Sequence, residues 1–475
     1  MKTIAGALVQ GVRGTPLVAY FVAVVTGYVC VSFLMFANHS PHSQTELTDS
    51  NLGDRRQPSR TLLGRFHQKG AELLTRGKIK AGLSDTWCDT VQQTTDLPLV
   101  GNGCYLRDKL TCDGMPTIHS AFADMTNGQV VFVGVRFRND TWHKEEYFCE
   151  FYDNTASVSD PIVDDSRSFG GQPQYVIIIT CPIPHHIINY LRLNQVTHVS
   201  LRRASEVHYA YVNVPVCAAA DKTKFLAMCT MVKGMDDLIP DWLTYYLYMG
   251  VEHVYIYDNS PESESTLPAS LALYVQSGFV SIIPWSHAYT PSKTYLEVQI
   301  AHENDCMWRH RHDSYWMIKV DVDEFIQPMN QSKPRIIDYL RNPVYTEDLA
   351  ALRMRNWFFS RPKEVLLPDS NASTVFERNK YRQPDPTLEN RGRDKSIARP
   401  INIHHYKIHG VKLGGETLSL NPYNELRLVH YRTDNPRHRN FRIHQFVNDT
   451  SMVVLWKKVI KWFHSHQYHA IHPKR

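Results

Sequence analysis

Residues 315–326 read YWMIKVDVDEFI, an apolar stretch that ends in a cluster of carboxylates. Such a run predicts a buried strand, with Asp321 and Asp323 at its end. Side chains two residues apart on extended backbone point to the same side, so these two carboxylates are expected to converge on one ligand. A divalent cation that bridges to a diphosphate would compensate their charge, and oxygen ligands suit Mn²⁺ or Mg²⁺. The alternative is an ordinary acidic loop after a strand.

Three shorter apolar strands precede this stretch, and each is followed by a helical pattern. Strands are predicted at 225–230, 251–257 and 280–283, and helices at 236–249, 267–276 and 292–309. Strands that alternate with helices predict βαβ units and a mainly parallel sheet, hence an α/β domain, which we place at residues 220–475. Ligands of such folds bind at the carboxyl ends of the strands.

Two other polar groups are candidates for that edge. Asp258 ends an earlier predicted strand and could accept a hydrogen bond from a base or a ribose, although Asp258-Asn-Ser-Pro is also a typical turn sequence. His430, in Leu428-Val-His-Tyr-Arg, could supply an imidazole as a third metal ligand. With 24 histidines in the chain, a structural role is the alternative for His430.

The region before the α/β domain is predicted to be rich in β-strands. Gln129 to Val135 follows the turn pair Asn127-Gly128, and short β-type runs recur up to residue 214. We therefore predict a small β-sandwich at residues 85–219. Eight cysteines follow residue 84: Cys88, Cys104, Cys112, Cys149, Cys181, Cys217, Cys229 and Cys306. Disulfides are expected among some of them in an exported chain, with buried free thiols as the alternative.

The N-terminal part predicts a membrane anchor. Residues 16–37 are apolar without charge and long enough to cross a bilayer. Lys2 and Arg13 precede this run, which predicts a cytoplasmic tail at 1–15 and a luminal body, in a type II protein of the Golgi or ER. A cleaved signal peptide is the alternative, but its apolar core is shorter. Residues 38–84, polar and then basic, are expected to form a stem.

Composition and sequons fit that topology. Asn-x-Ser/Thr triplets at Asn38, Asn139, Asn330, Asn371 and Asn448 all follow the predicted anchor, as luminal exposure requires. The formal net charge of +5 over 475 residues is too small and too dispersed to indicate nucleic-acid binding.

These residues together resemble glycosyltransferase family 92, whose known members are inverting galactosyltransferases of the GT-A type. The resemblance rests on Asp241-Trp242, on the stretch 247–259 that ends in Tyr-Asp-Asn, on Asn304-Asp-Cys and on Val320-Asp-Val-Asp-Glu-Phe-Ile. Lys395-Ser-Ile-Ala-Arg-Pro and Val429-His-Tyr-Arg follow in the family's order. The β-rich region resembles the N-terminal domain of plant members that make β-1,4-galactan.

The resemblance implies a set of roles. Asp321, Asp323 and His430 would bind the metal and the diphosphate. Asp258, Asn259, Asn304 and Asp305 would lie near the uridine and ribose of a UDP-sugar, and Lys395 and Arg399 would neutralise phosphate charge. The sequence departs from the family pattern at His302, where relatives tend to have a glutamine. It also departs at Trp357-Phe-Phe-Ser-Arg-Pro, which lacks the small residues usual after the family's tryptophan. This segment lies near the acceptor in the family fold, so the resemblance leaves the acceptor and the donor sugar open.

The implied reaction is the transfer of galactose from UDP-galactose to a glycan acceptor in β linkage. No residue identifies itself in the sequence as the catalytic base, for which Glu324 and Glu416 are the candidates. Transfer of another UDP-sugar on the same fold is the nearest alternative. A non-catalytic carbohydrate-binding membrane protein and a glycosidase with two carboxyls and no metal are the others.

Overall fold

The computed structural model describes residues 99–471 except 101–102, 107, 113–114, 138–145, 161–162, 165–173, 219–222, 287–294, 363–373, 386–392 and 433–442. The predicted tail, anchor and stem lie outside this described part, as do the sequons at Asn38, Asn139 and Asn371. Within it, the sequons at Asn330 and Asn448 are exposed. In the described ranges, no helix combines the length and the apolar character that crossing a bilayer requires.

The first part of the described chain consists mainly of strands. They are β1 (Leu99–Val100), β2 (Gly103–Cys104), β3 (Thr117–Asp124), β4 (Gln129–Phe137), β5 (Tyr147–Phe151), β6 (Ala156–Val158), β7 (Val163–Asp164), β8 (Gln174–Pro182), β9 (Val196–Arg203) and β10 (Tyr211–Cys217). Helix α1 (His185–Asn194) connects β8 to β9.

These strands form the β-rich region predicted from the sequence. Two four-stranded sheets, ordered β3-β4-β8-β7 and β10-β9-β5-β6, share a buried apolar cluster that includes Phe132, Ile179 and Val199. The disulfide between Cys149 on β5 and Cys181 on β8 joins one sheet to the other, with 6.2 Å between the Cα atoms. The alternating apolar pattern of the strands thus produces two facing layers.

The second part contains the remaining strands and helices. The strands are β11 (Lys224–Val232), β12 (His253–Asp258), β13 (Val280–Pro284), β14 (Ser314–Lys319), β15 (Glu324–Pro328), β16 (Leu349–Met354), β17 (Asn356–Ser360), β18 (Tyr381–Arg382), β19 (Lys395–Ala398), β20 (Ile403–Lys407), β21 (Gly410–Gly414), β22 (Glu416–Ser419), β23 (Leu426–His430) and β24 (Val447–Asn448). The helices are α2 (Ile239–Tyr248), α3 (Leu267–Ser270), α4 (Ala272–Gln276), α5 (Tyr295–Arg309), α6 (Ile336–Leu340), α7 (Val375–Arg378) and α8 (Ser451–Ile471).

A seven-stranded sheet organises this second part and confirms the α/β prediction. Its order is β13-β12-β11-β14-β19-β16-β22, and the first four of these strands are parallel to one another. Strand β19 runs antiparallel to both β14 and β16. The carboxyl ends of β11, β12 and β14 therefore meet at one edge, which we call the carboxyl edge.

Helices cover both faces of this sheet. Trp242 and Tyr246 of α2 pack in a large apolar cluster on one face, and Val298 and Ala301 of α5 pack on the other. The disulfide between Cys229 of β11 and Cys306 of α5 fixes that second face. Cys112 and Cys217 are disulfide-bonded as well, so the expected disulfides are present.

The long C-terminal helix α8 packs on the same part of the chain. It buries Met452, Trp456, Val459 and Phe463, while Lys457, Lys458 and Lys461 face solvent. Over residues 451–465 the helix thus packs aromatic residues inward and exposes its charges.

Candidate active site

The turn after β14 holds the two aspartates. The strand ends at Lys319, earlier than the predicted residue 322, and Asp321 to Asp323 form a turn before β15 begins at Glu324. The turn is closed by the Glu324 N–H, which donates to the Asp321 carbonyl oxygen at 3.0 Å. The expectation that extended backbone aligns the two carboxylates is therefore wrong. They are neighbours because the chain turns from the large sheet to a second sheet, where β15 pairs with β23.

Two buried lysines face the Asp321 carboxylate. The Lys395 Nζ lies 3.0 Å from one of its oxygens, and the Lys319 Nζ lies 3.6 Å from the other. Burial favours the neutral acid, but the charges of Lys395 and Lys319 and the hydrogen bond from Lys395 together outweigh it and lower the pKa of Asp321. Asp321 is thus an ionised carboxylate whose side chain remains 39% exposed at the carboxyl edge.

Lys319 is a site residue that the sequence reasoning missed. It is fully buried and also lies 3.6 Å from the Glu303 carboxylate of α5. The sequence contained an indication of this role, because Lys319 is the one cationic residue in the apolar strand predicted within 315–326. A lysine is rarely buried unless it is paired, so its position indicated a carboxylate partner inside the fold.

His430 comes to the turn from β23, which pairs Glu324 directly with His430. The His430 Nε2 lies 3.4 Å from an Asp323 oxygen, and its Nδ1 lies 3.4 Å from a Glu324 oxygen. Glu324 also accepts the Asp321 N–H at 2.8 Å and is 3.4 Å from the Lys395 Nζ. The structure therefore brings His430 to Asp321 and Asp323, from which it is separated by more than 100 residues in the chain.

Two carboxylates and an imidazole are suitable ligands for a divalent cation, but the side chains of Asp321, Asp323 and His430 do not surround a common point in this structure. In the described ranges, no three His, Cys, Asp or Glu side chains are arranged to hold a metal ion. Asp323 and the His430 Nε2 nevertheless lie as close as two ligands of one ion would. Glu324 on the other ring nitrogen is the kind of partner that orients a metal-binding imidazole. Asp321 would have to turn from Lys395 to become a third ligand.

Asp258 and Asn259 lie at the carboxyl edge, where β12 ends. The Asp258 carboxylate accepts the Ser260 N–H at 2.9 Å and the Ser265 hydroxyl, so it shapes the following turn. The Asn259 side-chain amide nitrogen is buried and has no hydrogen-bond partner among the residues that the structure describes. A buried donor without a partner is costly, and a ligand in this crevice would satisfy it.

Asn304 and Asp305 have structural contacts instead. Asn304 bridges to β20, because its side chain accepts the Tyr406 N–H at 2.9 Å and donates to the Tyr406 carbonyl at 2.7 Å. Asp305 accepts the Ser120 hydroxyl at 2.5 Å and the Tyr257 hydroxyl at 2.6 Å, and it pairs with Arg309 at 3.1 Å. Both side chains are fully buried, so these contacts disfavour the predicted role near the nucleotide.

Lys395 and Arg399 stand at opposite ends of β19. The Arg399 guanidinium donates to the backbone carbonyls of Thr346 and Tyr345 and lies over the Trp316 ring at 4.6 Å. Four residues of extended chain separate it from Lys395, a span of about 13 Å. The strand thus carries Arg399 away from the carboxyl edge where Lys395 lies, and contact of both residues with phosphate stays a prediction.

The two candidates for the catalytic base, Glu324 and Glu416, lie in different places. Glu324 is 1% exposed, accepts the Asp321 N–H and lies 3.4 Å from both the Lys395 Nζ and the His430 Nδ1, contacts that stabilise the turn. Glu416 is exposed and pairs with Leu349, at the start of β16. Lys395 pairs with Met354, at the other end of β16. Glu416 thus lies at the edge of the sheet opposite to Lys395 and Asp321.

A cavity of about 340 Å³ adjoins the turn on the α2 side. Asp323, Asp241 and Arg378 contribute to its lining. Burial raises the pKa of Asp241 to about 6, and the charge of Arg378 opposes that shift. Asp241 belongs to the Asp-Trp pair noted in the sequence, but the sequence did not show that α2 would place it beside Asp323.

His302 lies on the other side, where it is fully buried in α5. Burial and the nearby charge of Lys319 lower its pKa well below the usual value, so the imidazole is neutral.

Comparison with known proteins gives one family. The sequence model of glycosyltransferase family 92 matches residues 226–470, just over half of the chain. A glycosyltransferase family 92 protein of Ricinus communis is 25% identical over 247 residues, which are 49% of this chain and 42% of the relative. One from Oryza sativa is 27% identical over 216 residues, 42% of this chain and 33% of the relative. This chain therefore matches less than half the length of either plant relative.

An animal relative matches over a longer stretch. The beta-1,4-galactosyltransferase galt-1 of Caenorhabditis elegans is 21% identical over 306 residues, 61% of this chain and 67% of the relative. The family match begins in β11 and continues into α8, so it contains the seven-stranded sheet except for the first two residues of β11, and the turn with Asp321, Asp323 and the facing His430. The chain belongs to glycosyltransferase family 92.

Proposed function

We propose that this protein transfers galactose from UDP-galactose to a glycan acceptor, with a Mn²⁺ or Mg²⁺ ion at Asp321, Asp323 and His430. The observation that carries the proposal is the convergence of an ionised carboxylate, a second carboxylate and an imidazole at the carboxyl edge of a parallel sheet. Family membership supports glycosyl transfer as the reaction class. The arrangement of sheet and helices supports a fold of the GT-A type.

The donor would lie along the carboxyl edge. Asn259, with its unsatisfied buried amide, and Asp258 would contact the uridine and ribose at the end of β12. Lys395 begins β19, next to β14 in the sheet, and its ammonium would lie between Asp321 and the diphosphate. When bound, the metal ion would act as a Lewis acid on the diphosphate oxygens.

The reaction is a single displacement at the anomeric carbon. The acceptor hydroxyl oxygen forms a bond to that carbon while the bond to the diphosphate breaks, UDP leaves, and the hydroxyl proton passes to a base. Galactose as the donor sugar and the β linkage are proposed from the name of the animal relative, a beta-1,4-galactosyltransferase. The protein would act from the luminal side of the Golgi or ER membrane, held by residues 16–37 as a type II anchor.

The test is donor turnover by the full-length chain with a panel of UDP-sugars, in Mn²⁺ or in EDTA. We expect UDP release from UDP-galactose in Mn²⁺ only. Asp323→Ala should abolish it, and Glu416→Ala, which removes an exposed carboxylate at the opposite edge, should not. Turnover of a different UDP-sugar would keep the reaction class and replace galactose.

Binding of UDP by calorimetry covers the case in which turnover needs an acceptor. A chain that binds UDP in Mn²⁺ but not in EDTA supports the proposal. A chain that binds no UDP in either condition would overturn it and favour a non-catalytic carbohydrate-binding protein. Hydrolysis of glycosides that is independent of metal and nucleotide would instead indicate a glycosidase.

A further inference from the structure

A second cavity opens at the carboxyl edge, two strands from Asp321. It has a volume of about 500 Å³ and lies between the end of β16, Asp394 and the loop 419–425, and we call it the edge cavity. Asp394 directly precedes Lys395, whose Nζ is 3.0 Å from Asp321, and Lys395 pairs with Met354 of β16. Neighbouring strands lie about 4.8 Å apart, so the edge cavity begins about 10 Å from the turn with the aspartates.

Tyr423 gives the edge cavity a flat aromatic wall. It is 58% exposed, although large apolar rings are usually covered. Its hydroxyl donates to Asp385 at 3.0 Å, and its ring stands edge-on to the buried Trp357 with 6.0 Å between centroids. The ring is therefore held in place while much of its surface faces outward, which suits stacking against an apolar face of a ligand.

The loop that carries Tyr423 is closed by its own hydrogen bonds. The Asn421 N–H donates to the Glu425 carboxylate at 2.6 Å, and the Tyr423 N–H donates to the Asn421 side-chain oxygen at 2.9 Å. The Glu425 N–H donates to the Asn421 carbonyl at 2.9 Å. The wall is thus formed before any ligand arrives.

The charges in the edge cavity balance. Arg353 and Arg355 face Asp394 and Glu425, and the Arg353 Nη2 lies 2.8 Å from the Asp394 carboxylate. Two cations with two carboxylates give no preference for an anionic ligand such as a phosphate or sulfate. Hydrogen-bond donors and acceptors beside an aromatic face suit a neutral molecule with many hydroxyl groups.

We propose that the edge cavity binds the acceptor, a neutral oligosaccharide, and that Tyr423 stacks on one of its sugar rings. The inference rests on the proposed function, since it assigns the acceptor side of the same site. The cavity lies beside Lys395, while Asn259 and Asp258 lie on the far side of β11, so donor and acceptor would approach the turn from opposite directions.

The test is binding of neutral tetrasaccharides of galactose, glucose, mannose and N-acetylglucosamine by calorimetry, with a heparin tetrasaccharide as the anionic probe. The full-length chain is compared with Tyr423→Ala, Tyr423→Phe and Tyr315→Ala. Tyr315 is a matched control, because it is 43% exposed in a cavity of about 320 Å³ at the opposite edge of the sheet. UDP binding and thermal unfolding are measured on every variant.

We expect at least one neutral tetrasaccharide to bind, about tenfold more weakly to Tyr423→Ala, and with nearly unchanged affinity to Tyr423→Phe and Tyr315→Ala. UDP binding should be equal in all four chains. Unchanged affinity in Tyr423→Ala, exclusive binding of the heparin probe, or no tetrasaccharide binding by a chain that binds UDP would each overturn the inference and leave the proposed function standing. Loss of UDP binding by the unmodified chain would overturn the proposed function itself.

Discussion

Asp305→Asn would distinguish a nucleotide-binding role from a structural one. The Asp305 carboxylate is fully buried between α5 and β3, where it receives hydrogen bonds from Ser120, Tyr257 and Arg309. Arg309 is buried as well, with a side chain that is 1% exposed. An asparagine keeps the shape and removes the negative charge, so a guanidinium would remain buried without its counter-ion.

The expected loss follows from that unpaired charge. Removing one partner of a buried ion pair costs about 3–5 kcal/mol. Asp305→Asn should therefore lower the free energy of unfolding by about that amount, and UDP affinity measured on the folded fraction should not change. Unfolding is followed by guanidinium titration with fluorescence detection, and UDP binding by calorimetry at a temperature where the variant is folded.

Two further chains test the reasoning. Asp305→Asn combined with Arg309→Met removes the unpaired charge as well and should recover part of the loss, because the two residues act as one unit. Asp385→Asn removes a carboxylate that is 57% exposed, 3.3 Å from Arg382, and should cost less than about 1 kcal/mol. Unchanged stability of Asp305→Asn together with weaker UDP binding would refute the structural role and restore the predicted one.

Three more outcomes are expected. Arg399→Ala should lower the free energy of unfolding by about 2 kcal/mol, since it removes charged hydrogen bonds to two carbonyls, and calorimetry should show unchanged UDP affinity. The pKa of Asp241, about 6 in the folded chain and about 3.9 when unfolded, means that the folded state binds more protons between these values. Stability should therefore fall by about 2 kcal/mol as the pH rises from 4 to 6, and Asp241→Asn should remove this slope in urea titrations at several pH values. Replacing Cys149 and Cys181 by serine opens a loop with a sequence separation of 32 and should cost about 3–4 kcal/mol in the same titrations, whereas equal midpoints would show that the disulfide does not constrain the unfolded chain.

Much of the candidate site could be predicted because it depends on local patterns. Apolar runs of strand length alternate with helical spacing from residue 225 onward, and this alternation determines a parallel sheet whose strands end at one edge. Asp258 and Asp321 could therefore be assigned to the carboxyl edge from their positions after two such runs. His430 was one candidate among 24 histidines, and the family resemblance was needed to favour it as a metal ligand.

Tertiary structure decided which charges meet. Lys395 reaches Asp321 across 74 residues, and only the antiparallel register of β19 on β14 brings its Nζ to the carboxylate and takes Arg399 to the other end of the strand. Asp305 receives the Ser120 hydroxyl because α5 packs against β3, which the helix's own sequence does not encode. Sequence thus determined the order of strands and helices through periodicity, a property of neighbouring residues. Contacts between charged side chains depend on strand register and on which faces pack together, and these are properties of the whole folded chain.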